Sequence, residues 1–356
     1  MEKLILQVLY DGLNNALEGA VTHIEPIKTF KRPSSSVVFC RIQLTNSRKV
    51  FVWAKTLTPS SKIGLKEKRI IRDYDLTQYL YNTLDKSGYF LVPRPLFHSP
   101  EHRLIVTEHM QGDRLQDKIE RGVNYVSFRT QRKSLEKDCY QAGQWLHTFQ
   151  KVTKNYCPGM TQDLSLLQVQ NVERIIDQTI VRLDNLTDKN PNTFNQKSIF
   201  LIKDFLRNNL EEYQKEKIIN HDYICSIHGD FFPGNLLSNR STVIGIDFSS
   251  CTWGSRYFDL SYFIFQIETI GTKARHNESL THSLIECFLY GYNNICLDKS
   301  FWNLNPAIKI NFVSHCISRL LSLSDSKWNT LNPKLFYRKF NFYMTRKKLI
   351  RHINSS

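Results

Sequence analysis

Three polar residues follow short apolar runs at a spacing that suits phosphoryl chemistry. Asp230 ends the tripeptide 228–230 (HGD), Asn235 stands five residues later, and Asp247 ends the apolar run Val243–Ile246. One carboxylate can accept the proton of a substrate hydroxyl, while an amide oxygen and a second carboxylate can hold Mg²⁺ against nucleotide phosphates. An oxygen-only ligand set suits a hard cation and not zinc. The segment therefore predicts metal-assisted phosphoryl transfer.

The composition is that of a globular protein with a strong excess of positive charge. The 356 residues are 41% hydrophobic and 23% charged, which excludes wholesale disorder, and the length favours about two domains. There are 48 Lys+Arg against 33 Asp+Glu, a net charge of +15. The surplus points to anionic partners, which include nucleotides, phosphorylated substrates, nucleic acid and an acidic membrane surface. Charge alone does not choose among them.

The cysteines and the apolar runs indicate a protein of the reducing cytoplasm. None of the eight cysteines forms a CxxC pair, which argues against a zinc ribbon or a redox motif. The N-terminal run Met1–Tyr10 is too short for a signal peptide and carries a glutamate. No stretch reaches the roughly 18 uncharged residues that a spanning helix needs. We therefore expect a soluble, cytoplasmic protein.

The elements that must position these residues divide into a β-rich and a helical part. Val37–Leu44 and Val50–Leu57 alternate like strands of a hairpin, a helix is predicted over 62–84, and Leu104–Met110 is a further strand. Beyond Gly112 the pattern is mostly helical, with a β-rich interruption at 223–248 and helices predicted over 132–151, 167–187, 196–217, 257–269, 277–291 and 306–323. The predicted architecture is α+β, with a small β-rich N-terminal lobe (1–110) and a larger, mostly helical C-terminal lobe (111–356).

The spacing HGD-x4-N-x11-D resembles that of the aminoglycoside phosphotransferase and choline kinase family, whose fold is similar to that of protein kinases. Weaker landmarks fall in the same order along most of the chain: Lys55 in a strand, Val92–Phe97 (VPRPLF), Thr107–Leu115 (TEHMQGDRL) and Ala142–Gln150 (AGQWLHTFQ). The last resembles a helix whose leucine–histidine pair packs behind the catalytic loop. The resemblance implies a two-lobed, protein-kinase-like fold and an ATP- and Mg²⁺-dependent kinase that phosphorylates a hydroxyl group of a small molecule.

The resemblance also implies a role for each residue of the motif. Asp230 is the expected catalytic base, and Asn235 and Asp247 are the expected metal ligands. His228 is expected to be structural, holding the loop by packing and hydrogen bonding. Asp259, at the start of the next helix, is expected to brace the loop or to cap the helix.

Nucleotide binding is expected to involve a lysine and its acidic partner. Lys55 would contact the α- and β-phosphates and pair with an acidic residue of the following helix, where the family usually has glutamate. Asp73 falls at that position in this chain, one methylene shorter, and Asp75 and Glu67 are rivals.

Two backbone segments complete the expected nucleotide site. The phosphate loop is expected between the first two strands, where the chain has Ser34, Ser35 and Ser36 but no glycine, so an ordinary polar turn is the alternative. The expected hinge is Glu108–Met110, with Glu108 and Met110 contacting the adenine through backbone groups.

The acceptor and the rival functions remain open at this point. Neither 155–220 nor 268–330 holds an acidic block, and with the basic charge this favours a neutral or anionic acceptor such as a sugar or glycan precursor. An aminoglycoside- or choline-type kinase is the alternative within the family. A pseudokinase or nucleotide-binding scaffold with a basic partner-binding surface is the alternative of another class. A protein kinase is disfavoured by HGD in place of HRD and by the lack of an APE segment, and no nucleic acid is expected.

The C-terminal segment 331–356 carries seven Lys or Arg residues and no Asp or Glu. Phe336, Phe340 and Tyr343 recur at i, i+4 and i+7, which predicts one buried aromatic face. The segment would then be a final helix docked on the helical lobe, with its charges in solvent. The alternative is an interfacial basic helix that meets an anionic membrane. Docking is the favoured prediction.

Overall fold

The computed structural model describes residues 3–32, 34–58, 63–84, 90–122, 128–158, 164–217, 224–239, 242–273, 278–293, 305–324 and 333–354. The chain forms two compact units. The first comprises 1–113, 156–161 and 235–252, and the second comprises 114–155, 162–234 and 253–356. The first unit therefore takes in two segments from later in the chain.

The first unit consists of two long helices and two sheets. Its elements are α1 (Lys3–Ala16), β1 (Val21–Lys31), β2 (Ser35–Leu44), β3 (Lys49–Leu57), α2 (Ile63–Thr83), β4 (Phe90–Leu91), β5 (Pro95–Ser99) and β6 (Leu104–Glu108), followed at its boundary by β7 (Asp113–Arg114). The larger sheet has the order β1-β2-β3-β6-β5. All four of its neighbouring pairs are antiparallel, and the predicted hairpin is its β2–β3 pair.

The core of this unit follows from alternation in β2. Cys40, Ile42 and Leu44 are buried at every second position, as expected for a strand with one covered face. They belong to one hydrophobic cluster with Leu9 and Leu13 of α1. The sequence analysis did not predict α1, although Leu9 and Leu13 have the i, i+4 spacing of a helix with one apolar face.

A second sheet brings a distant segment into the first unit. Along the chain, β8 (Ile224–Ile227) and a 3₁₀ turn (Pro233–Asn235) are followed by β9 (Leu236–Asn239) and β10 (Thr242–Gly245). β10 pairs antiparallel with β9 and parallel with β4. This pairing explains why 235–252 belongs to the first unit, because a strand's partner is not visible in its own sequence pattern.

The second unit is mostly helical. Its helices are α3 (Leu115–Gly122), α4 (Phe128–Val152), α5 (Leu164–Lys189), α6 (Gln196–Lys217), α7 (Tyr257–Lys273), α8 (Glu278–Asn293), α9 (Pro306–Ser324) and α10 (Pro333–Asn354). β8 pairs with β11 (Thr252–Ser255). α4 and α8 lie very close together because Gly143 and Gly291 face backbone carbonyls of the opposite helix, where a Cβ would overlap. The predicted helices match these ranges to within a few residues.

The C-terminal helix α10 packs on other helices of the second unit, but the face that it buries differs from the expected one. Lys348 Nζ donates a hydrogen bond to the Glu268 backbone oxygen at 2.8 Å, and Leu349 is fully buried. Phe336, Phe340 and Tyr343 are 75%, 40% and 56% exposed, so the predicted buried aromatic face was wrong. The buried face is set instead by a second apolar series on α10 that includes Phe342, Leu349 and Ile353. Residues 331, 332, 355 and 356 of the expected segment lie outside the described residues.

Within the described ranges, none of the helices combines the length and the apolar character that crossing a membrane would require.

Candidate active site

A buried lysine joins two carboxylates in the first unit. Lys55 Nζ, on β3, lies 3.0 Å from Asp73 Oδ2 of α2 and 2.6 Å from Asp247 Oδ1, which follows β10. The side chains of Lys55 and Asp73 are 16% and 4% exposed. Glu67 and Asp75, the rivals for the lysine, are not its partners. The sheet, the helix and the β10 segment thus bring Lys55, Asp73 and Asp247 together.

The two carboxylates keep Lys55 in its charged form. Burial lowers the pKa of Lys55, but the attraction of Asp73 and Asp247 outweighs burial and holds that pKa above its usual value. Burial raises the pKa of Asp73, and the nearby Lys55 opposes that shift. Lys55 is therefore a fixed positive charge that can face an anionic ligand such as a phosphate.

The segment after β10 is held in an uncommon conformation. Asp247 has φ of 67°, in the left-handed region that non-glycine residues seldom occupy. The Phe248 N–H donates to Asp73 Oδ1 at 2.8 Å, and the Ser249 hydroxyl donates to Asp247 Oδ1 at 2.8 Å. Strain of this kind is found at functional sites where the surrounding structure enforces it.

The two expected metal ligands lie in the same unit and are linked through the backbone. The Ile246 N–H donates to the Asn235 carbonyl at 3.1 Å, one residue before Asp247. Asn235 is buried, whereas the Asp247 side chain is 28% exposed. An amide and a carboxylate supply only oxygen ligands, so their chemistry fits Mg²⁺. Their role as ligands stays a prediction.

The expected phosphate loop is a short turn that leads into β2. Ser35 and Ser36 already belong to the strand, and Ser35 is buried. The Arg32 N–H donates to the Ser35 carbonyl at 2.8 Å, and the Thr58 N–H donates to the Ser34 carbonyl at 3.0 Å. Ser34 is the exposed serine of the three, and Pro33 lies outside the described residues. Phosphate binding by these serines stays a prediction.

The expected hinge carries an aromatic contact that the sequence analysis missed. Glu108 ends β6, and the His109 N–H donates to the Phe51 carbonyl at 2.8 Å. The Trp53 indole N–H donates to His109 Nδ1 at 3.0 Å. The centroid of the Phe39 ring lies 4.9 Å from the centroid of the His109 ring. Burial lowers the pKa of His109. The signal for this cluster was the alternation of aromatic residues at 39, 51 and 53.

The second unit holds the loop that carries Asp230. Asp259, in the first turn of α7, accepts hydrogen bonds from the His228 N–H at 2.6 Å and the Gly229 N–H at 2.9 Å. The Phe149 ring of α4 packs 6.4 Å from the His228 ring, which is fully buried. Asp259 therefore braces the loop, and His228 is a packed residue.

Asp259 and Asp230 are close enough to influence each other. Burial raises the pKa of Asp259 to about 7, with a further rise from Asp230, although the hydrogen bonds from His228 and Gly229 oppose the shift.

A tyrosine lies beside the expected catalytic base. The side chains of Asp230 and Gln266 are close enough to the Tyr262 hydroxyl, on α7, to influence its pKa. Burial, followed by the charge of Asp230, raises the pKa of Tyr262, while Arg319 of α9 opposes the rise. Tyr262 was not predicted from the sequence, although it stands three residues after Asp259 and hence on the same side of the helix.

Comparisons with known proteins agree with the fold. The model of the ecdysteroid kinase-like family matches residues 141–284, which is less than half of the chain. No curated protein matches the sequence.

Solved structures of small-molecule kinases match along the whole chain. A choline kinase from Cryptosporidium parvum is 12% identical with a TM-score of 0.56, covering 98% of this chain and 96% of its own. An ethanolamine kinase from Plasmodium vivax is 14% identical with a TM-score of 0.54, covering 99% and 89%. An amicoumacin kinase solved with AMP-PNP and Ca²⁺ is 15% identical with a TM-score of 0.53, covering 98% and 93%. The chain therefore has the protein-kinase-like α+β fold that the resemblance predicted.

Proposed function

We propose that this protein is an ATP- and Mg²⁺-dependent phosphotransferase that phosphorylates a hydroxyl group of a small molecule. The observation that carries the proposal is the cluster of Lys55, Asp73 and Asp247 in the first unit. A lysine kept charged by two carboxylates, one of them in a strained segment after a strand, is the arrangement that nucleotide phosphates and their metal require.

In this proposal the first unit binds the nucleotide. Asn235 and Asp247 would hold Mg²⁺, which would neutralise charge on the phosphates during transfer. Lys55 would move from Asp247 towards the α- and β-phosphates, remaining paired with Asp73. Ser34, Ser35 and Ser36 would border the phosphates, and backbone groups of Glu108 and Met110 would bind the adenine.

The second unit would supply the base. Asp230 would accept the proton of the acceptor hydroxyl, and Asp259 would keep its loop in place through the His228 and Gly229 N–H groups. Tyr262 would help to position this base, because the two side chains are close enough for the charge of Asp230 to raise the pKa of Tyr262. Positioning and charge neutralisation would then account for most of the rate.

The acceptor that we propose is an uncharged molecule with several hydroxyl groups, such as a sugar or glycan precursor. The residues that influence Tyr262, beside Asp230, are Gln266 and Arg319, and neither would attract a cationic amine. The name of the ecdysteroid kinase-like family adds an ecdysteroid to the candidates. Choline and ethanolamine, which the names of two structural relatives suggest, are the cationic alternatives.

A second candidate function is nucleotide binding without catalysis. Lys55 Nζ lies 2.6 Å from Asp247 Oδ1, so the lysine and a metal ion would compete for that carboxylate. The serine turn also lacks the glycines that bring backbone N–H groups close to phosphate. A scaffold of this kind would bind ATP but transfer nothing.

A screen of acceptors tests the proposal. ATP consumption is measured with Mg²⁺ and, separately, a neutral sugar panel, an ecdysteroid, choline and ethanolamine. We expect turnover with a neutral acceptor that is lost in Asp230→Asn and kept in Asp177→Asn, a matched change at an exposed aspartate of α5. Turnover that persists in Asp230→Asn would overturn the assignment of the base, and ATP binding with no turnover on any acceptor would favour the scaffold.

A further inference from the structure

Two arginines border Ser318 of helix α9, one in space and one along the chain, and neither has a carboxylate partner among the described residues. Arg182, on α5, donates from Nη1 to the Ser318 hydroxyl at 2.9 Å and from Nη2 to Gln178 Oε1 at 3.5 Å. Arg319 follows Ser318 directly. The hydroxyl and the amide are neutral, so neither of them offsets the charge of Arg182.

Three acidic residues of the neighbouring helices α5 and α7 have other partners. Asp184 Oδ1 of α5 lies 2.9 Å from Lys203 Nζ, and Glu268 Oε2 of α7 lies 3.3 Å from Lys348 Nζ. Asp259, in the first turn of α7, accepts backbone N–H groups of the loop before it in the chain. None of these three carboxylates is therefore in place to neutralise the two arginines.

Ring contacts show how α7 and α9 pack. The Phe258 and Tyr262 rings of α7 each lie 4.9 Å from the His315 ring of α9, measured between centroids. Further along α7, the Phe265 ring lies 6.0 Å from the Phe312 ring. Contacts thus move forward along α7 as they move backward along α9, so the two helices run antiparallel. The part of α9 beyond His315 lies towards the start of α7.

This packing places the arginines near the loop of the proposed base. Arg319 lies one helical turn beyond His315, about 6 Å along the axis, and hence towards the start of α7. Asp259 holds the loop of Asp230 at that end of α7. The pKa of Tyr262 agrees with this placement, because Asp230 raises it and Arg319 lowers it. The stretch of α9 that both arginines border therefore lies at the proposed acceptor site.

Both arginines can be reached by a ligand. Each is half-buried, and Nε is the nitrogen of the Arg319 guanidinium that is closed off from solvent without a partner in the described residues. Its two terminal nitrogens are therefore the atoms that can meet a ligand. His315, one turn before Arg319, adds no charge, since burial lowers its pKa to about 3.

We propose that Arg182 and Arg319 determine which acceptor binds beside Asp230, by holding neighbouring oxygen atoms of an uncharged, polyhydroxylated molecule and by excluding ammonium compounds. The forked, planar donors of a guanidinium match two adjacent oxygens, and its charge repels a cation. This inference rests on the proposed phosphotransferase function, since it concerns the acceptor of that reaction.

The charge of Asp230 favours an uncharged acceptor over an anionic one. The acceptor hydroxyl has to approach this carboxylate, and an anionic group on a small acceptor would then be repelled by it. Two arginines that are not neutralised by an acid disfavour a cationic acceptor in the same way. A molecule that offers only hydroxyl or carbonyl oxygens avoids both costs.

The test uses three sugars that differ mainly in charge, glucose, glucosamine and glucuronate, with ecdysone as a second uncharged probe. ATP consumption by the full-length protein is measured with Mg²⁺. We expect the largest kcat/KM with an uncharged probe. Arg319→Gln and Arg182→Gln should raise the KM for that probe about tenfold without changing the KM for ATP. Arg207→Gln, at an exposed arginine of α6, is the matched control and should leave both unchanged.

Two further variants of Arg319 separate its charge from its fork. Arg319→Glu should raise the kcat/KM for glucosamine relative to glucose at least tenfold, because it replaces repulsion by attraction. Arg319→Lys keeps the charge, so it should still exclude glucosamine while the KM for the uncharged probe rises. Arg319→Lys also keeps the test open if the glutamine variant does not fold.

The outcomes distinguish this inference from the phosphotransferase function. Turnover of an uncharged probe with the same KM in Arg319→Gln as in the wild type would overturn the inference alone, as would a wild-type preference for glucosamine or glucuronate. If the wild type turns over none of the four probes, calorimetric binding of glucose and ecdysone decides. Binding that is weakened in Arg319→Gln but not in Arg207→Gln would support the acceptor site without the reaction, and absent or unaltered binding would overturn it.

Discussion

Asp73 and Asp259 do similar work in the two units with different electrostatic support. Each is a buried aspartate of a helix, and each accepts backbone N–H groups from a loop that carries a predicted site residue. Asp73 holds Phe248, next to Asp247, and also pairs with Lys55. Asp259 holds His228 and Gly229, next to Asp230, and its described partners are these two neutral N–H groups.

The difference shows how each loop is suited to its proposed task. Burial raises the pKa of both carboxyls. Lys55 opposes the rise at Asp73, whereas none of the described cations does so at Asp259, whose pKa reaches about 7. The first loop lies in a salt-bridged environment that suits a metal and phosphates. The second is braced by the hydrogen bonds to Asp259 and by the packing of His228 against Phe149.

The largest effect is expected at the residue that the Asp259 loop carries. Asp230→Ala should lower the rate of phosphoryl transfer by about 10²–10⁴, because it removes a positioned base, while ATP binding stays close to that of the wild type. Single-turnover kinetics and nucleotide titration measure the two separately. A mutant with nearly normal turnover would place the base elsewhere.

The next effect concerns the loop that Asp73 carries. Asp247→Ala should raise the Mg²⁺ concentration needed for activation more than Asn235→Ala does, because a carboxylate brings a full charge to the metal and an amide only a dipole. Mg²⁺ titrations of both variants at saturating ATP provide the measurement. If Asp247→Ala keeps the wild-type Mg²⁺ requirement, Asp247 is not a ligand.

A third prediction tests whether nucleotide binding depends on the pairing of Asp73 with Lys55. Asp73→Ala should raise the KM for ATP about tenfold, since Lys55 loses one of its two carboxylate partners, and Asp73→Glu should be tolerated because it keeps the charge. Asp75→Ala serves as the matched control on the same helix, since Asp75 is not a partner of Lys55. An unchanged KM in Asp73→Ala would mean that Lys55 does not need this partner to bind nucleotide.

The smallest effect is a dependence on pH that follows from the raised pKa of Asp259. Because the pKa of Asp259 is raised in the folded state, this group favours folding most when it is protonated, and its contribution falls as pH rises from about 4 to about 7. The stability lost in Asp259→Asn should therefore shrink with rising pH, on the order of 1 kcal/mol per unit within that window.

Denaturant unfolding of the wild type and Asp259→Asn at pH 5 and pH 7.5 measures this change. A difference in stability that is constant or that grows with pH would show that the pKa of Asp259 is not raised in the folded state.

The sequence was sufficient for the elements with strong local patterns. The β2–β3 hairpin and the long helices were predicted because alternation and helical periodicity are local signals. The membership of 235–252 in the first unit was not, because it depends on β10 pairing with β4 across about 150 residues of chain. The buried face of α10 was misassigned because two apolar series run along it, and only packing decides between them.

The residues of the candidate site also include some that were predicted from the sequence and some that were not. Asp230, Asn235 and Asp247 were proposed from their spacing, and Asp73 from the resemblance to the family. Tyr262 could not be found from spacing, since it meets Asp230 only through the packing of α7 against the loop.

The most direct test of the central claim, that the first unit binds Mg·ATP through Lys55 and Asp247, is the thermal shift with ATP in the presence and absence of Mg²⁺. We predict that ATP with Mg²⁺ stabilises the wild type by several degrees, as expected for about 2.7 kcal/mol at a hundredfold excess over the Kd, and that ATP alone stabilises it less. In Asp247→Ala the difference between the two conditions should vanish. A wild-type protein whose stability is the same with Mg·ATP as with buffer would contradict the account.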